Sequence, residues 1–254
     1  MDPYAPAPKN NLAVPIAIIA GFAMIAIAIL FTGDSDSSPT TQTATTTDDT
    51  AAVVAGSPRP VDDTDYIRGN PNAPIMMIEY SDYDCPFCKQ YHETMKQIMF
   101  DYGVSGRVAW VYRQFPLSQL HPNAPLISEA ALCVGDIGGT EAFWNFTDLV
   151  FEERGVDEFT NITLLPEYAE RAGVSRSDYQ SCLDSNRMEA AVTASLEDGF
   201  NAGARGTPYT VLVVGNQQAV INGAQPYDVI KGIIDNLIDQ LDGAAPQATA
   251  TTTQ

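Results

Sequence analysis

Two cysteines stand at the junction of a predicted strand and a predicted helix. An apolar run at residues 75–81 leads through a short acidic loop into the sequence Cys-Pro-Phe-Cys at residues 85–88, and a helical pattern follows. Pro86 suits the first helical position, where a missing N–H costs nothing, so Cys85 falls at the N-cap and Cys88 lies one turn further on. The sequence therefore predicts a strand, a turn and a helix that opens with a cysteine pair.

The two sulfurs of this pair are predicted to differ in acidity. At the N-cap, unpaired amides and the positive end of the helix dipole stabilise a thiolate and lower the pKa of Cys85, whereas Cys88 is more buried and keeps its proton to higher pH. A separation of three residues on a helical turn brings the two Cα atoms to within about 6 Å, which is within disulfide range. The pair can therefore cycle between a dithiol and a disulfide.

The same spacing also supplies half of a zinc site. Zinc would need two more ligands, and of the two histidines in the chain only His92, one turn past Cys88, could reach inward. The strand before the pair, the helix after it and the proline inside it favour redox chemistry over metal binding. We expect no metal and no cofactor.

The charge of the chain argues against some classes of function. The 254 residues are 45% hydrophobic, which is enough for one folded domain, and the formal net charge is −19. A charge this negative, with no basic patch interleaved with aromatic residues, opposes binding to nucleic acid or to anionic lipid headgroups. We expect one monomeric domain that binds no nucleic acid.

The N-terminal part of the chain is predicted to be a membrane anchor and a tether. Residues 12–31 carry no charge and are long enough to cross a hydrocarbon core of about 30 Å, and a cleaved signal peptide would have a shorter apolar centre. We interpret them as an uncleaved transmembrane helix after a short cytoplasmic segment, residues 1–11, with the rest of the chain outside. Residues 32–65 and 242–254 are predicted to be a disordered tether and tail, because they are polar and low in large apolar residues.

Between these segments the predicted order is β-α-β, a helical block and then β-β-α. A second buried strand is predicted at residues 107–115 and a hairpin at residues 209–221, with its turn at Gly215-Asn216. An amphipathic helix at residues 227–241 follows the hairpin. The helices of the block are predicted at residues 122–134, 141–153, 164–172, from Ser175 onward, and 187–201.

Six short motifs occur together within residues 66–241. They are Cys85-Pro86-Phe87-Cys88, Gly69-Asn70-Pro71-Asn72-Ala73-Pro74, Phe115-Pro116-Leu117, His121-Pro122-Asn123-Ala124, Ala142-Phe143-Trp144 and Gly206-Thr207-Pro208. Jointly they resemble the DsbA-like branch of the thioredoxin superfamily, membrane-anchored thiol:disulfide oxidoreductases of the cell envelope. The resemblance implies an α/β thioredoxin fold with a helical domain inserted at about residues 122–203.

The resemblance also implies roles for five residues. Cys85 is expected to be the sulfur that a substrate thiolate attacks, and Cys88 its resolving partner. Thr207 and Pro208 match the family's cis-proline loop, which lies beside the cysteine pair and pairs its backbone with a substrate peptide. Glu79 lies where the family often has a buried acid that relays a proton to Cys88, although a solvent-exposed glutamate at a strand end is an equal alternative.

The residues next to the cysteines are expected to set substrate binding and oxidising strength. Tyr83, Pro86 and Phe87 are candidates for an apolar rim that meets unfolded substrate, or else for the core. Strongly oxidising family members have a histidine between the cysteines, where this chain has Phe87, and Asp84 beside Cys85 also disfavours a thiolate. We therefore expect a milder oxidant.

The remaining cysteines and histidines are expected to be structural. Cys133 and Cys182 lie on two helices of the block, outside any C-x-x-C motif, and in an oxidising compartment we expect a disulfide between them, with free buried thiols as the alternative. His92 and His121 are expected in the core or at the surface, because thiol exchange needs no imidazole once the helix end activates the thiol.

Three functions remain open from the sequence. We favour an extracytoplasmic enzyme, anchored in the cell membrane by a single helix, that introduces disulfides into reduced or unfolded secreted proteins and is reoxidised by a membrane partner of the DsbB or VKOR type. The second is a thiol reductase or isomerase of the envelope. The third belongs to a different class, a metal-binding or copper-delivery module that uses Cys85, Cys88 and His92.

Overall fold

The strand that leads to the cysteine pair lies at the centre of a mixed sheet. The computed structural model describes residues 56–244. Their strands are β1 (Tyr66–Gly69), β2 (Ile75–Ser81), β3 (Val108–Gln114), β4 (Tyr209–Val214) and β5 (Gln217–Asn222). The spatial order is β1-β3-β2-β4-β5, with β2 and β3 parallel and the other neighbours antiparallel. β3 is buried along its whole length and β2 at every position except one, which is typical of strands covered on both faces.

Helices connect these strands in nearly the predicted order. They are α1 (Pro86–Ile98), α2 (Ala124–Glu153), α3 (Leu165–Arg171), α4 (Arg176–Asp184), α5 (Glu189–Ala202) and α6 (Tyr227–Ala244). The four helices α2 to α5 lie between β3 and β4 and form the helical insertion. This is the mixed α/β arrangement that the resemblance implies.

The sheet separates two hydrophobic clusters. The larger one joins α1, α6 and the insertion to one face of the sheet, and its buried side chains include those of Tyr91, Phe143 and Ile230. The smaller one lies on the other face, where Val111 and Phe115 pack with Ala202 at the end of α5. The helix α1 packs between the sheet and the helical insertion. The cysteines at the start of α1 therefore lie where the sheet, α1 and the insertion meet.

The edge strand β1 was not predicted. It is only four residues long and contains Arg68, so no alternating apolar pattern can develop. Its pairing is non-local: it lies antiparallel to β3, with Tyr66 opposite Tyr112 and Gly69 opposite Ala109. A strand of this kind depends on its partner rather than on its own composition.

The first two predicted helices of the insertion form one run, α2, with a break. The backbone at Gly139 has φ 77° and ψ −172°, a conformation that glycine adopts at little cost, and helix resumes directly after it. The predicted boundary at residues 135–140 therefore corresponds to a kink inside α2 and not to a loop between two helices.

The packed part of the chain begins before Tyr66, where the sequence analysis placed the start of the domain. Asp65 is buried and accepts two hydrogen bonds of 2.9 Å from the guanidinium of Arg113, which also donates to Asp198 over 2.8 Å. The backbone N–H of Arg59 donates to the same Asp198 over 2.7 Å. The composition of residues 58–65 suggested a tether because their partners are far away in the sequence.

Several predictions concern residues beyond the described range. The cytoplasmic segment at residues 1–11, the transmembrane anchor at 12–31, the tether before residue 56 and the tail from residue 245 lie outside the described residues. Within residues 56–244, no helix combines the length and the apolar character needed to span a membrane.

Replacement of Asp65 by alanine should destabilise the domain by about 3 kcal/mol, because the buried Arg113 guanidinium loses its bidentate partner. Chemical denaturation of the full-length protein measures this loss. Asp63→Ala is the matched control, since Asp63 is exposed two residues away and should change stability by less than about 0.5 kcal/mol. An Asp65→Ala protein as stable as Asp63→Ala and the wild type would show that the Asp65–Arg113 ion pair does not stabilise the fold.

Candidate active site

Cys85 occupies the N-cap of α1, as the position of Pro86 predicts. Its backbone is extended, with φ −70° and ψ 125°, and Pro86 is the first helical residue. The Cys85 N–H donates to the carbonyl of Asp82 over 3.2 Å, which closes the turn between β2 and the helix. The sulfur therefore stands where the first amides of the helix have no partner within the helix.

The environment of Cys85 favours its thiolate. The pKa of Cys85 is lowered to about 6, first by the hydrogen bond from the Cys88 thiol and then by Thr207 and the backbone N–H groups of Cys88 and Phe87, against the opposing effect of burial. Only 4% of the residue is exposed. Both cysteines are thiols in this structure, so it represents the reduced protein.

Cys88 has the opposite tendency. It is completely buried, and burial is the largest cause of a pKa well above the ordinary value, with the hydrogen bond to Cys85 second. At neutral pH the reduced pair therefore holds one proton, and that proton lies on Cys88. A thiolate and a neighbouring thiol donor are what disulfide exchange needs.

The loop before β4 lies against the cysteine pair. The Thr207–Pro208 peptide bond is cis, the form that the resemblance implies, and the Cys85 sulfur lies 3.5 Å from the carbonyl oxygen of Thr207. The register of the sheet explains this proximity, since Tyr209 pairs with Tyr80 at the carboxyl end of β2, next to the loop that carries the cysteines.

Glu79 points into the core. It is 1% exposed and its Oε2 accepts a hydrogen bond of 2.8 Å from Trp110 Nε1, so the alternative of a solvent-exposed glutamate is wrong. Burial is the main reason that its pKa is raised to about 7, and the charge of Cys85 adds to the shift. A carboxyl group with this pKa can gain or lose a proton near neutral pH, which proton relay requires.

Of the two alternatives predicted for Tyr83, the apolar substrate rim is wrong and the core is confirmed. Its side chain is completely buried, its hydroxyl is hydrogen-bonded to Thr147 Oγ1 at 2.9 Å, and its ring stacks at 5.3 Å on that of Tyr112. The helical insertion covers this side of the loop, which the local sequence could not reveal. Of the other two rim candidates, Pro86 is half-buried and Phe87 is 58% exposed.

The acidic loop before the cysteines is fixed by buried contacts that the sequence analysis missed. Asp82 Oδ2 accepts a hydrogen bond of 2.7 Å from the Leu117 N–H and lies 2.8 Å from His121 Nδ1. Asp84 Oδ1 accepts from the Thr160 N–H over 2.7 Å. These carboxylates tie the loop to segments on either side of α2, and His121 is thus buried as one of its anchors.

Arg154 is a further residue without a local sequence signal. It follows the last residue of α2, 69 positions after Cys85, and its guanidinium donates to the carbonyl oxygens of Tyr83 and Cys85 over 2.9 and 2.6 Å. No motif marks it, because an arginine at a helix end is ordinary in a sequence.

His92 is directed away from the cysteine pair. Its Nε2 lies 2.8 Å from Asp148 Oδ1, and its ring packs on those of Phe151 and Trp110. The third ligand of the metal-binding hypothesis is therefore engaged with α2 in this structure. Over residues 56–244, no group of three or more His, Cys, Asp or Glu side chains is arranged to hold a metal ion.

Cys133 and Cys182 are joined by a disulfide that connects α2 to α4. Their Cα atoms are 5.8 Å apart and 49 positions separate them in the sequence. Both residues are buried and lie away from the cysteine pair of α1, within the helical insertion. The bond closes a long loop, which restricts the unfolded chain more than the folded one.

Comparison with known proteins agrees with this geometry. A family model described as thioredoxin matches residues 62–236. A protein of Rickettsia prowazekii that carries the provisional name protein-disulfide oxidoreductase is 26% identical over 192 residues, which cover 74% of this chain and 64% of that protein. The Na⁺/H⁺ antiporter NhaA 1 of Salinispora arenicola is 32% identical over 150 residues, 59% of this chain. This chain spans about a fifth of the antiporter, since the match covers 22% of it.

Solved structures show the same fold. Oxidised BdbD from Bacillus subtilis superposes with a TM-score of 0.62 at 22% identity, over 73% of this chain and 98% of that one. The α-DsbA1 protein of Wolbachia pipientis gives a TM-score of 0.62 at 21% identity, over 72% of this chain and 95% of that one. The expected resemblance to DsbA-like proteins is confirmed at the level of fold.

Substitution of Glu79 by glutamine should remove a pH dependence of stability. In the folded wild type the pKa of Glu79 is about 7, above its ordinary value of 4.5. Glu79 therefore leaves the free energy of unfolding undiminished below pH 4.5 and lowers it as the pH rises through 7. Between pH 4 and pH 8 the free energy of unfolding of the wild type should therefore fall by about 3 kcal/mol relative to that of Glu79→Gln, at 1.36 kcal/mol per pKa unit.

Denaturation of the oxidised full-length protein at both pH values tests this difference without titration of Cys85 or Cys88, because burial, the largest cause of the raised Glu79 pKa, does not depend on the Cys85 charge. Glu93→Gln on the exposed face of α1 is the control and should follow the wild type. A Glu79→Gln protein that kept the full pH dependence of the wild type would rule out a buried carboxylate as its source.

Proposed function

Since this chain belongs to the thioredoxin family, we propose that it is a thiol:disulfide oxidoreductase that introduces disulfides into reduced secreted proteins through Cys85 and Cys88. One observation carries the proposal: a cysteine whose pKa is lowered to about 6 stands one helical turn from a buried cysteine whose pKa is raised, beside the Thr207 carbonyl. This asymmetry determines which sulfur is attacked and which retains the proton.

The reaction proceeds in two exchanges. A substrate thiolate attacks the Cys85 sulfur of the oxidised pair, the bond to Cys88 breaks, and its electron pair leaves on Cys88, which takes up a proton. A second substrate thiolate then attacks the substrate sulfur of the mixed disulfide and expels Cys85 as a thiolate. The substrate gains a disulfide and the enzyme retains two electrons in its dithiol. The low pKa of Cys85 makes the expulsion fast.

Glu79 is the best candidate to exchange the proton of Cys88. Its negative charge contributes to the raised pKa of Cys88, and its own pKa of about 7 allows both protonation states at neutral pH. Trp110 holds one carboxylate oxygen in place. In this proposal Glu79 relays a proton between Cys88 and solvent as the disulfide opens and closes.

Exposed apolar side chains surround the cysteine loop and would meet an unfolded substrate. Phe87 is 58% exposed within the Cys-Pro-Phe-Cys sequence itself, and Phe159 is also 58% exposed. Phe159 packs its ring 6.2 Å from that of His121, which is anchored to the same loop through Asp82. Together with the Thr207 backbone, these side chains suit an extended chain rich in apolar residues.

The expected oxidising strength is intermediate. A pKa of about 6 for Cys85 lies between the values of about 7 for thioredoxin and about 3.5 for DsbA. Position 87 holds an uncharged phenylalanine, and the carboxylate of Asp84 is buried beside Cys85. Both features stabilise the Cys85 thiolate less than a positive charge between the cysteines would.

We place the enzyme outside the cytoplasm, held at the membrane by residues 12–31 and reoxidised by a membrane partner of the DsbB or VKOR type. The Cys133–Cys182 disulfide supports an oxidising compartment. The partners on the substrate side are reduced or unfolded secreted proteins, which a monomer suffices to oxidise.

Acid quenching of cells followed by thiol alkylation should find Cys85 and Cys88 of the full-length protein mainly as a disulfide. A Cys88→Ala variant should accumulate mixed disulfides with secreted proteins, because its Cys85 thiolate attacks substrate disulfides, expels one substrate sulfur as a thiolate, and no Cys88 thiol remains to displace the other. The matched Cys85→Ala variant should accumulate none, since the remaining thiol is completely buried. A pair found mainly reduced would contradict the oxidase and favour the reductase.

A further inference from the structure

Arg154 places a buried positive charge beside the active-site loop. The residue is 6% exposed, and its guanidinium donates to five backbone carbonyl oxygens. Two of them belong to the loop before α1, at Tyr83 and Cys85. The other three lie in the segment that follows α2, at Gly155, Val156 and Glu158, over 3.2, 3.2 and 2.9 Å.

The guanidinium of Arg154 forms no salt bridge within the described residues. Within the described residues, Arg154 has no carboxylate partner in salt-bridge range, although a buried cation is ordinarily paired. Carbonyl dipoles satisfy its N–H groups but leave the net charge. The Cys85 thiolate is the anion that forms near this guanidinium during turnover, and it shares the positive charge with the buried carboxylate of Asp84.

Other charged groups also lie in the segments around Cys85. The loop before α1 contains the buried carboxylates of Asp82 and Asp84, and β2 contributes the buried Glu79, whose pKa the charge of Cys85 helps to raise. On the positive side, Lys89 of α1 reaches the carbonyl of Phe151 at the end of α2. Burial, the largest effect, lowers the pKa of Arg154, whereas the charges of Asp84, Cys88 and Cys85, in that order, raise it. The guanidinium thus offsets the acids around the thiolate.

We propose that Arg154 is a positioning residue that sets the oxidising strength of the Cys85–Cys88 pair. Its bond to the Cys85 carbonyl holds the first turn of α1 so that the amides of Phe87 and Cys88 face the sulfur. Its charge supplies the positive potential that Phe87 cannot. The inference rests on the proposed redox function of the pair, but it does not depend on the direction of electron flow in the cell.

The equilibrium with glutathione reports this effect directly. Two glutathione thiols reduce the enzyme disulfide and become one glutathione disulfide, while the enzyme gains two electrons as a Cys85 thiolate and a Cys88 thiol, with one proton released. A less stable Cys85 thiolate shifts this equilibrium toward the enzyme disulfide, so the enzyme becomes a weaker oxidant.

The test compares Arg154→Gln with Arg154→Lys and with a control, Arg171→Gln, in the reduced full-length protein. Thiolate absorbance is followed against pH, and the glutathione equilibrium is measured separately. Arg154→Gln should raise the pKa of Cys85 by about one unit and, at pH 8, shift the glutathione equilibrium about tenfold toward the disulfide. Arg154→Lys keeps the charge, so its Cys85 pKa and its glutathione equilibrium should lie between those of Arg154→Gln and the wild type. Arg171→Gln should change neither, because Arg171 is exposed and pairs with Glu153.

Asp84→Asn keeps the proposal testable if Arg154→Gln does not fold. Asparagine retains the oxygen that accepts from the Thr160 N–H but removes the charge that offsets Arg154. The pKa of Cys85 should therefore fall in this variant. Addition of Arg154→Gln to Asp84→Asn removes both buried charges and should raise the Cys85 pKa above that of Asp84→Asn alone. A double variant with the Cys85 pKa of Asp84→Asn, or an Arg154→Gln protein that loses thermal stability while its Cys85 pKa is unchanged and its glutathione equilibrium stays within twofold of the wild type, would reduce Arg154 to a structural role. A pair found reduced in cells would overturn the oxidase and leave this inference intact.

Discussion

The stabilisation of one thiolate by the first turn of α1 is the interaction on which the rest of the site depends. The hydrogen bond from the buried Cys88 thiol lowers the pKa of Cys85 most, and the N-cap position adds the free amides of Cys88 and Phe87. Burial alone would raise the pKa of Cys85, as it does that of Cys88. The hydrogen-bond donors outweigh burial at Cys85 but not at Cys88. In the reduced pair Cys85 is therefore the thiolate and Cys88 the thiol.

The fold serves this interaction by bringing distant segments to the end of β2. The sheet register places the Thr207–Pro208 loop against Cys85, and the helical insertion contributes Arg154 and Thr160 to the loop before α1. The insertion therefore does more than enlarge the core. Its α2 ends against the cysteine loop, where Arg154 donates to the carbonyl oxygens of Tyr83 and Cys85.

The sequence revealed what is local and missed what depends on distant partners. Cys85 at the N-cap, Cys88 one turn on and a strand before them follow from spacing and from Pro86, and the cis form at Pro208 followed from a resemblance. β1, the burial of Tyr83, the Asp65–Arg113 ion pair and Arg154 could not be predicted, because each is decided by residues tens of positions away. Burial of Glu79 was left open for the same reason, since a strand-end glutamate faces either way until the partner Trp110 is known.

The reduction potential of the Cys85–Cys88 pair, measured at equilibrium with glutathione in the full-length protein, tests the central claim most directly. Since the Cys85 pKa of about 6 lies between those of thioredoxin and DsbA, the potential should lie between about −270 mV and about −120 mV, the values of those two proteins. A potential at or below that of thioredoxin would mean that the amides at the start of α1 do not stabilise the thiolate enough to drive oxidation, and would contradict the account.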